Sequence, residues 1–378
     1  MRLLLVVALV AGCEKGSHEV DPVSADEAQT FATQYAAAML PCDEAKLADL
    51  IDGEAMAGKA EKSARSDAGR FSGMPLRNAR STAHFLCAGQ AGTEGYRMLH
   101  TKTVAGETRP VMRRLARSAR KPVAIVGYDE LQLGKSREDH RVRLVDVYSY
   151  AQGAWLSETL SAGVDAMNAE GVESGLDSAH AITAARDLQK QGAFGDALAK
   201  LDTLPAPVRR TRMVQLMRVR LGEQISQDAY KQALDELAKD YPDDPSLALM
   251  QVDGAFLRGD LDGALKNIDL VDQAVGGDAF QDAIRAEVYL KRNQPGDLDR
   301  AAERAEAAIK TEPTLAKGWW ARLDAAVYRK DFAKAFETIE HLQQHFKAKL
   351  DDAALHKVPS YAEFLASPEY AAWRAAHP

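Results

Sequence analysis

Asp146 and Tyr148 are the two side chains of this sequence that could most readily do chemistry. They alternate with Val142 and Leu144 in a strand-like segment, so all four would point to the same face of a sheet. A carboxylate beside a phenol in an apolar cavity can act as a base, because burial raises the pKa of a carboxyl group. The simpler interpretation is that Asp146 lies at the sheet edge or accepts a backbone hydrogen bond. We favour it because no histidine or second carboxylate accompanies the pair.

Motifs for the common enzyme chemistries are otherwise missing from the sequence. It contains no Walker loop, no glycine-rich dinucleotide turn after a strand, no zinc-type cysteine pair and no Gly-x-Ser-x-Gly. His341 and His345 have the i, i+4 spacing that can hold zinc, but without a third ligand nearby we expect them to face solvent. The sequence therefore predicts no catalytic residue, no cofactor and no metal site.

A short targeting segment, residues 1–12, begins the chain. It carries one positive charge, at Arg2, followed by an apolar run of eight residues and then small residues. Such a run is far too short to span a bilayer and is typical of a signal peptide. The alternative is a cytosolic protein with a hydrophobic beginning.

Cys13 follows directly after Ala11 and Gly12, and this stretch resembles the lipobox of bacterial lipoproteins. The resemblance implies that Cys13 is acylated and becomes the new N-terminus of an exported protein. Two or three acyl chains anchor a protein stably, whereas one chain alone is marginal. Glu14, in place of aspartate, further implies export to the outer membrane, facing the periplasm, with residues 13–23 as a lipidated tether.

Cys42 and Cys87 are the other two cysteines of the chain. An oxidising periplasm allows them to form a disulfide, and both fall in the same predicted domain. The alternative is a pair of buried thiols, the common state of unpaired cysteine. We favour the disulfide, although sequence alone does not supply the Cα separation that a bridge needs.

One four-residue pattern returns five times in the second half of the chain. A bulky residue is followed three positions later by alanine, and the bulky residues are Phe194, Tyr230, Leu261, Leu298 and Phe332. They are 36, 31, 37 and 34 residues apart, close to the 34-residue period of a helix-turn-helix repeat. The bulky residue would pack on a neighbouring helix while alanine lets the backbones approach. We therefore expect a helical solenoid over residues 178–345, with residues 346–378 as its C-terminal cap.

Particular residues within these units match a known family. Trp319 stands at the aromatic position of a first helix, and Ala286 and Tyr289 stand at a small-x-x-Tyr step. The units thus resemble tetratricopeptide repeats. If Trp319 faces the core, Trp320 is turned about 100° toward the concave groove, and Tyr328 would share that side. Exposed aromatics in a groove are a usual docking surface, which implies a protein or peptide partner.

The residues before the repeats change from helical to strand-like patterns. Ser24 and Glu27 have the spacing of a capping box, which predicts a helix that ends at Pro41. Farther on, alternating apolar residues predict a meander of three strands that ends near Trp155. Helices followed by a curved antiparallel sheet define an α+β domain, which we place at residues 24–160.

The end of this domain carries a second resemblance. The run Asp146-Val147-Tyr148, together with residues 153–159, is similar to the end of the cone-shaped nuclear-transport-factor-like domains. Cone domains often hold a pocket, in which Asp146 and Tyr148 would be the polar groups. Small-molecule binding, or weak enzyme activity, in this domain is therefore the alternative to an interaction function.

Charge is unevenly distributed along the chain. From Glu14 to Asp165 there are 20 Lys and Arg against 21 Asp and Glu, whereas the residues after Asp165 carry 27 against 34, a net charge of −7. An acidic repeat region argues against nucleic acid as the partner, because phosphate contacts need cationic side chains. Six basic residues lie within 109–121, with apolar residues at helical spacing. We expect a solvated helix face there, or else a helix that rests on anionic headgroups.

These observations predict a protein of two domains joined by a linker. The linker is placed at residues 161–177, which are rich in Ala, Gly and small polar residues. We expect a membrane-anchored lipoprotein that acts as a protein–protein interaction scaffold and not as an enzyme. A structural spacer without a specific ligand is a third hypothesis.

Overall fold

The computed structural model describes residues 22–65, 73–88, 92–117, 124–136, 139–169, 172–242 and 244–377. The protein is mostly helical, with an antiparallel five-stranded sheet in its N-terminal part and a long series of helices after it. This order of helices, sheet and further helices confirms the predicted succession of fold classes. Cys13, the predicted signal peptide and most of the predicted tether lie outside the described residues.

Within the described part, five helices precede the sheet. They are α1 Ala25–Met39, α2 Glu44–Leu50, α3 Gly53–Ser63, α4 Met74–Arg77 and α5 Ala79–Ala88. The predicted capping box opens α1: the Glu27 amide donates to Ser24 Oγ at 3.2 Å, and the Ser24 amide donates to the Glu27 carboxylate at 2.9 Å. These bonds satisfy amide groups that have no partner inside the helix.

The sheet is a meander in which the strands pair in chain order. They are β1 Thr93–Val104, β2 Glu107–Arg117, β3 Ala124–Lys135, β4 Val142–Ser149 and β5 Ala154–Trp155. Each neighbouring pair is antiparallel. The last three strands correspond to the predicted meander, whereas β1 and β2 were not predicted.

The basic run at 109–121 begins in strand β2, so the helix predicted there is wrong. Its side chains alternate between the two faces of the sheet. Met112 points into the apolar core beneath the sheet, whereas Val111 and Arg113 point to the opposite face, and all three are buried. The helical spacing was misleading because the same few residues also satisfy a period of two.

One face of the sheet, here called the inner face, packs on the helices that precede it. The core between them is apolar, and its largest fully buried members are Tyr35, Met39, Leu47, Met56, Leu76, Met112, Leu131 and Leu144. Burial of such side chains contributes about 1.5–3 kcal/mol each relative to exposure. Burial of this core therefore stabilises the sheet against the helices that precede it.

A long series of helices follows the sheet. They are α6 Leu156–Ala169, α7 Val172–Lys190, α8 Phe194–Asp202, α9 Ala206–Arg209, α10 Arg212–Ile225, α11 Gln227–Asp240, α12 Ala248–Arg258, α13 Leu261–Val275, α14 Ala279–Arg292, α15 Asp297–Thr311, α16 Ala316–Tyr328, α17 Phe332–Phe346, α18 Asp352–Leu355, α19 Ala362–Leu365 and α20 Pro368–Ala376. The described part of 161–177, predicted to be a linker, is helical and belongs to α6 and α7. Its small residues allow close contact instead: Ser161 is buried, and its hydroxyl donates to the carbonyl of Ala60 in α3.

From α7 onward, helices pack mainly on their neighbours in the chain, in pairs such as α10 with α11, α12 with α13 and α14 with α15. Each bulky residue of the repeated pattern lies in the first turn of the second helix of a pair. The alanines that follow them are all buried, at Ala197, Ala233, Ala264, Ala301 and Ala335. Gly259, at the end of α12, has φ 78°, the left-handed conformation expected of a glycine that ends a helix.

The residues after α17 fold back on the last helical pair. Ser367 caps α20 by accepting a hydrogen bond from the Tyr370 amide at 3.1 Å. The aromatic residues of this segment join Trp319, Leu323 and Ile339 in one buried cluster. The C-terminal segment thus covers apolar surface that a terminal helical pair would otherwise expose.

Candidate functional site

The structure does not place Asp146 and Tyr148 on one face with Leu144, as the sequence predicts. The register of β3 and β4 shifts before Asp146, which leaves Val145 as an extra residue in a β-bulge. Beyond the bulge the alternation is reversed. Val147 joins Leu144 in the inner core, whereas Tyr148 packs on the other face.

The carboxylate of Asp146 is buried and fully engaged. Its Oδ1 accepts the amides of Val147 at 2.9 Å and Ser157 at 3.3 Å, and its Oδ2 accepts the Ser157 hydroxyl at 2.5 Å. Burial raises the pKa of Asp146, and the hydrogen bonds from Ser157 and Val147 oppose this rise. Because Ser157 lies in the first turn of α6, the carboxylate acts as a cap for that helix. This arrangement is the simpler of the two interpretations.

Tyr148 belongs to an aromatic cluster at the end of the sheet. Its ring meets the rings of Tyr150 and Trp155 edge to face, with centroids 5.0 and 5.4 Å apart. Burial raises the pKa of Tyr148. A phenol in this setting contributes packing, and the geometry gives no pairing with Asp146 for acid–base work.

Trp320 and Tyr328 are not brought together as a pair. Trp320 is half-buried and packs on α17 and the segment after it, near Leu342 and Ala348. Tyr328 packs instead with the cluster formed by α14 and α15. The two side chains diverge because eight residues along a helix leave them about 80° apart.

The residue before Trp320, Trp319, is buried as predicted. Its indole N–H donates to the carbonyl of Pro313 at 2.8 Å, and its ring stacks on His341 with centroids 3.5 Å apart. His341 is therefore partly covered, which corrects the expectation that it faces solvent. Burial lowers its pKa, and nearby His345 lowers it further.

Sequence reasoning missed an extensive contact between the sheet and the later helices. The outer face of the sheet, opposite the inner core, packs on α12 and α13. Val111 and Tyr128 of the sheet, with Tyr150 directly after β4, share a buried cluster with Ala248, Leu249, Val271 and Val275. Leu115 and Val126 continue the contact onto the cluster around α14. The prediction of two domains joined by a linker therefore lacks this contact between the sheet and the later helices.

Arg113 lies at the centre of this contact, only 2% exposed. Its guanidinium donates to Asp278, just before α14, at 2.6 Å and to Glu312, just after α15, at 2.7 Å. The Tyr128 hydroxyl also donates to Asp278, at 2.6 Å, and accepts the Gln281 amide at 2.8 Å. Burial raises the pKa of Asp278, while Arg113 and Tyr128 oppose the rise. One strand arginine thus joins the ends of two different helices to the sheet.

A second group of polar contacts lies beside the first. Glu130 accepts hydrogen bonds from Arg109 at 2.9 Å and from the Tyr150 hydroxyl at 3.1 Å, and pairs with Lys102. At the edge of the contact, His100 Nε2 lies 2.6 Å from the carbonyl of Val275. The only sequence signal for this interface was the alternation of arginine and apolar residues in β2.

A polar surface remains on the first helices of the last two pairs. Lys317 donates to Glu287 at 2.5 Å, and the Tyr361 hydroxyl donates to Asp324 at 2.5 Å. Lys317, Asp324 and Tyr328 follow one side of α16. Burial raises the pKa of Asp324 to about 6, although the hydrogen bond from Tyr361 lowers it. Glu287, Lys317, Asp324 and Tyr328 are called the α14–α16 surface below, whereas Tyr361 is only 3% exposed and is not part of it.

The remaining candidate lies at the first helices of the chain. Cys42 and Cys87 are joined by a disulfide, with their Cα atoms 5.4 Å apart. This separation is the one that sequence alone could not supply, and it lies within the usual range for a bridge. Glu44 lies close to both sulfurs.

Comparison with known proteins yields no match among family models, curated proteins or solved structures. Among the described helices, none combines the length and apolarity needed to cross a membrane.

Proposed function

We propose that this protein is an exported, lipid-anchored interaction protein whose tetratricopeptide-like helical pairs bind a protein or peptide partner. The observation that carries the proposal is the α14–α16 surface. It combines a carboxylate, an ammonium group and a tyrosine on helices whose opposite sides are buried in the stack. Interfaces of this kind depend on a few aromatic and charged residues.

The sheet narrows the surface that a partner can use. Ala248 and Leu249 in α12 and Phe280 in α14 belong to clusters that include sheet residues. The first turns of these helices are therefore covered within the protein itself. The side chain of Glu287, in a later turn of α14, is 40% exposed, and that of Lys317 is 17% exposed. A partner would thus contact the later turns of α14 and the face of α16.

Charge favours a basic or neutral partner. The residues after Asp165 carry a net charge of −7, and complementary charge speeds association and rejects acidic competitors. Nucleic acid does not fit this surface, since its phosphates would meet an acidic region. The disulfide between Cys42 and Cys87 is in keeping with an oxidising compartment and so supports export to the periplasm.

Lipid anchoring is tested by metabolic labelling with a fatty acid in a bacterial host. The wild-type chain should incorporate label and fractionate with the outer membrane, whereas Cys13→Ala should do neither. Cys42→Ala with Cys87→Ala serves as the matched control and should keep the label. Equal labelling of the wild type and Cys13→Ala would refute the anchor.

Partner binding is tested with a photo-activatable amino acid placed at Tyr328 in living cells. We expect a discrete adduct with another protein, which is lost when Glu287→Lys is added. The same probe at Asp228, an exposed residue of α11, is the control and should give none. Identical adducts at both positions, or none at Tyr328, would contradict the proposal. The second result would favour the spacer hypothesis.

A further inference from the structure

Four side chains with metal-binding atoms meet where the loop after α1 faces α5. The ligand atoms of Cys42, Glu44 and Cys87 all lie within 4.8 Å of one another. His84 Nδ1 lies 2.8 Å from Glu44 Oε1. We propose that reduction of the disulfide between Cys42 and Cys87 creates a zinc site, in which the two thiolates and Glu44 are the ligands and His84 positions the Glu44 carboxylate.

The ligand set suits zinc and not the harder divalent cations. Thiolate sulfur is the preferred ligand of zinc, with bonds of about 2.3 Å, and carboxylate oxygen is a common third ligand. Calcium and magnesium instead take only oxygen ligands. Three protein ligands leave the fourth tetrahedral position for water. A hydrogen bond from an outer partner to a ligating carboxylate fixes the orientation of the carboxylate and strengthens its binding.

The site stays assembled without the sulfur–sulfur bond because each cysteine is held by its own helix. Cys42 has φ 55° at the end of α1, where its amide donates to the carbonyl of Met39 at 3.1 Å and the next amide donates to Ala38 at 2.9 Å. These two bonds form a helix-ending motif that does not depend on the disulfide.

Cys87 is held from the other side. It is 7% exposed and packs in the inner core together with Leu47 and Ala83. Because α2 and α5 pack on each other directly, reduction leaves Cys42 and Cys87 facing one another. Two thiolates on one zinc ion are about 3.8 Å apart in tetrahedral geometry, a distance that a Cα separation of 5.4 Å accommodates.

Exposure permits both the reductant and the metal to reach the site. Cys42 and Glu44 are exposed, and the side chain of His84 is 72% exposed. A dithiol supplies two electrons and two protons to the disulfide and is itself oxidised to a disulfide. Zinc then displaces the two thiol protons and binds the thiolates. The oxidised and zinc-bound states are mutually exclusive, since each requires both sulfurs.

Cobalt is a suitable probe because its bonds to thiolate absorb light. The full chain carrying Cys13→Ala, so that only two cysteines remain, is reduced with a dithiol, freed of it without oxygen, and titrated with cobalt and then with zinc. We expect one cobalt ion per chain, a thiolate-to-cobalt absorption band, and loss of that band on adding zinc. The oxidised chain should show no band. A reduced chain without the band would overturn the proposal.

Variants assign the roles of the two other residues. Glu44→Gln should weaken cobalt binding at least ~10-fold, and His84→Ala should weaken it about 10-fold, the usual cost of losing an outer partner. His84→Gln, which can still donate to Glu44, should recover most of the affinity, a rescue that a merely structural role would not give. Asp49→Asn, elsewhere on α2, is the matched control and should bind like the parent. A band that survives Cys42→Ser and Cys87→Ser would also refute the site.

Discussion

The two faces of the five-stranded sheet make different kinds of contact with the helices that cover them. The inner face meets α1 to α5 through an apolar core, in which Met112 and Leu131 are fully buried. The outer face meets the later helices through a mixture of apolar side chains and ion pairs, with Arg113 at its centre. The same sheet thus forms two interfaces, an apolar one on its inner face and a partly ionic one on its outer face.

This difference bears on what each interface specifies. Apolar contacts are not directional and tolerate small shifts of one element over another. Arg113 instead has to reach Asp278 and Glu312 at once, which belong to the ends of different helices. A planar guanidinium with fixed donor directions suits such a task. We infer that the inner face mainly drives folding, whereas the outer face sets the position of the helical pairs relative to the sheet.

The largest expected effect comes from removing the central arginine. Arg113→Ala should lower the free energy of unfolding by about 3–5 kcal/mol, because Asp278 would remain buried without its cation and Glu312 would keep only the exposed Arg97. Urea denaturation measures the loss, and hydrogen exchange should locate it in α14 and not in α1. A loss below about 1 kcal/mol would show that the outer face does not depend on the ion pairs.

Shortening an apolar side chain on the inner face is the counterpart of the Arg113→Ala experiment. Leu131→Ala should cost about 2–5 kcal/mol, because it leaves a cavity in a fully packed core. Hydrogen exchange should now be fastest in α1, the reverse of the pattern for Arg113→Ala. Val104→Ala, at a position 36% exposed on β1, is the control and should change stability by less than about 0.5 kcal/mol. Identical hydrogen-exchange patterns for Leu131→Ala and Arg113→Ala would contradict the proposed difference between the two faces.

Asp324 is a partly buried carboxyl group with no arginine partner in the hydrogen bonds described above, and it shows by comparison what Arg113 contributes to Asp278. Asp324 resembles Asp278 in accepting a tyrosine hydroxyl, and burial raises its pKa to about 6. Its raised pKa means that its contribution to stability is complete below its ordinary pKa of 3.8 and is lost as the pH rises through about 6. Relative to Asp324→Asn, the wild type should therefore lose about 2 kcal/mol between pH 4 and pH 8. Parallel stability curves for the two proteins would contradict this.

The smallest effect is expected from the exposed arginine of the same network. Arg97 donates to Glu312 at 2.7 Å, as Arg113 does, but its side chain is 53% exposed. Arg97→Ala should therefore cost less than about 1 kcal/mol, and high salt should remove most of the difference. A cost as large as that of Arg113→Ala would mean that burial is not what distinguishes the two arginines.

Local signals predicted local structure well. The capping box at Ser24 and Glu27 opens α1, Gly259 ends α12 with a positive φ, and the five repeated alanines are buried between helices. These features depend on hydrogen bonds and spacing within a few residues, which a sequence displays directly. The basic run around Arg113 was misassigned because the spacing of its apolar residues fits a helix and a strand alike, and only its pairing with β1 and β3 decides between them.

The candidate sites were likewise predicted well only where their geometry depends on neighbouring residues. Alternation alone placed Asp146 and Tyr148 on one face with Leu144, but a bulge at Val145 shifts the alternation before both of them. A bulge is set by the pairing of β4 with β3 and has no signal in β4 alone. Similarly, helical geometry placed Trp320 beside a groove, and only the position of α17 shows that its ring is partly covered.

The sequence by itself predicted that helices come first, antiparallel strands next and repeated helical pairs last, and the lipid anchor at Cys13 stays a prediction. It did so because periodicity, capping and the composition of a targeting segment are properties of neighbouring residues. Only the tertiary structure decided that the predicted linker is helical, that Cys42 and Cys87 meet, and that Arg113 joins the sheet to two later helices. These features unite residues up to 199 positions apart, and such contacts depend on how the elements pack and not on their individual patterns.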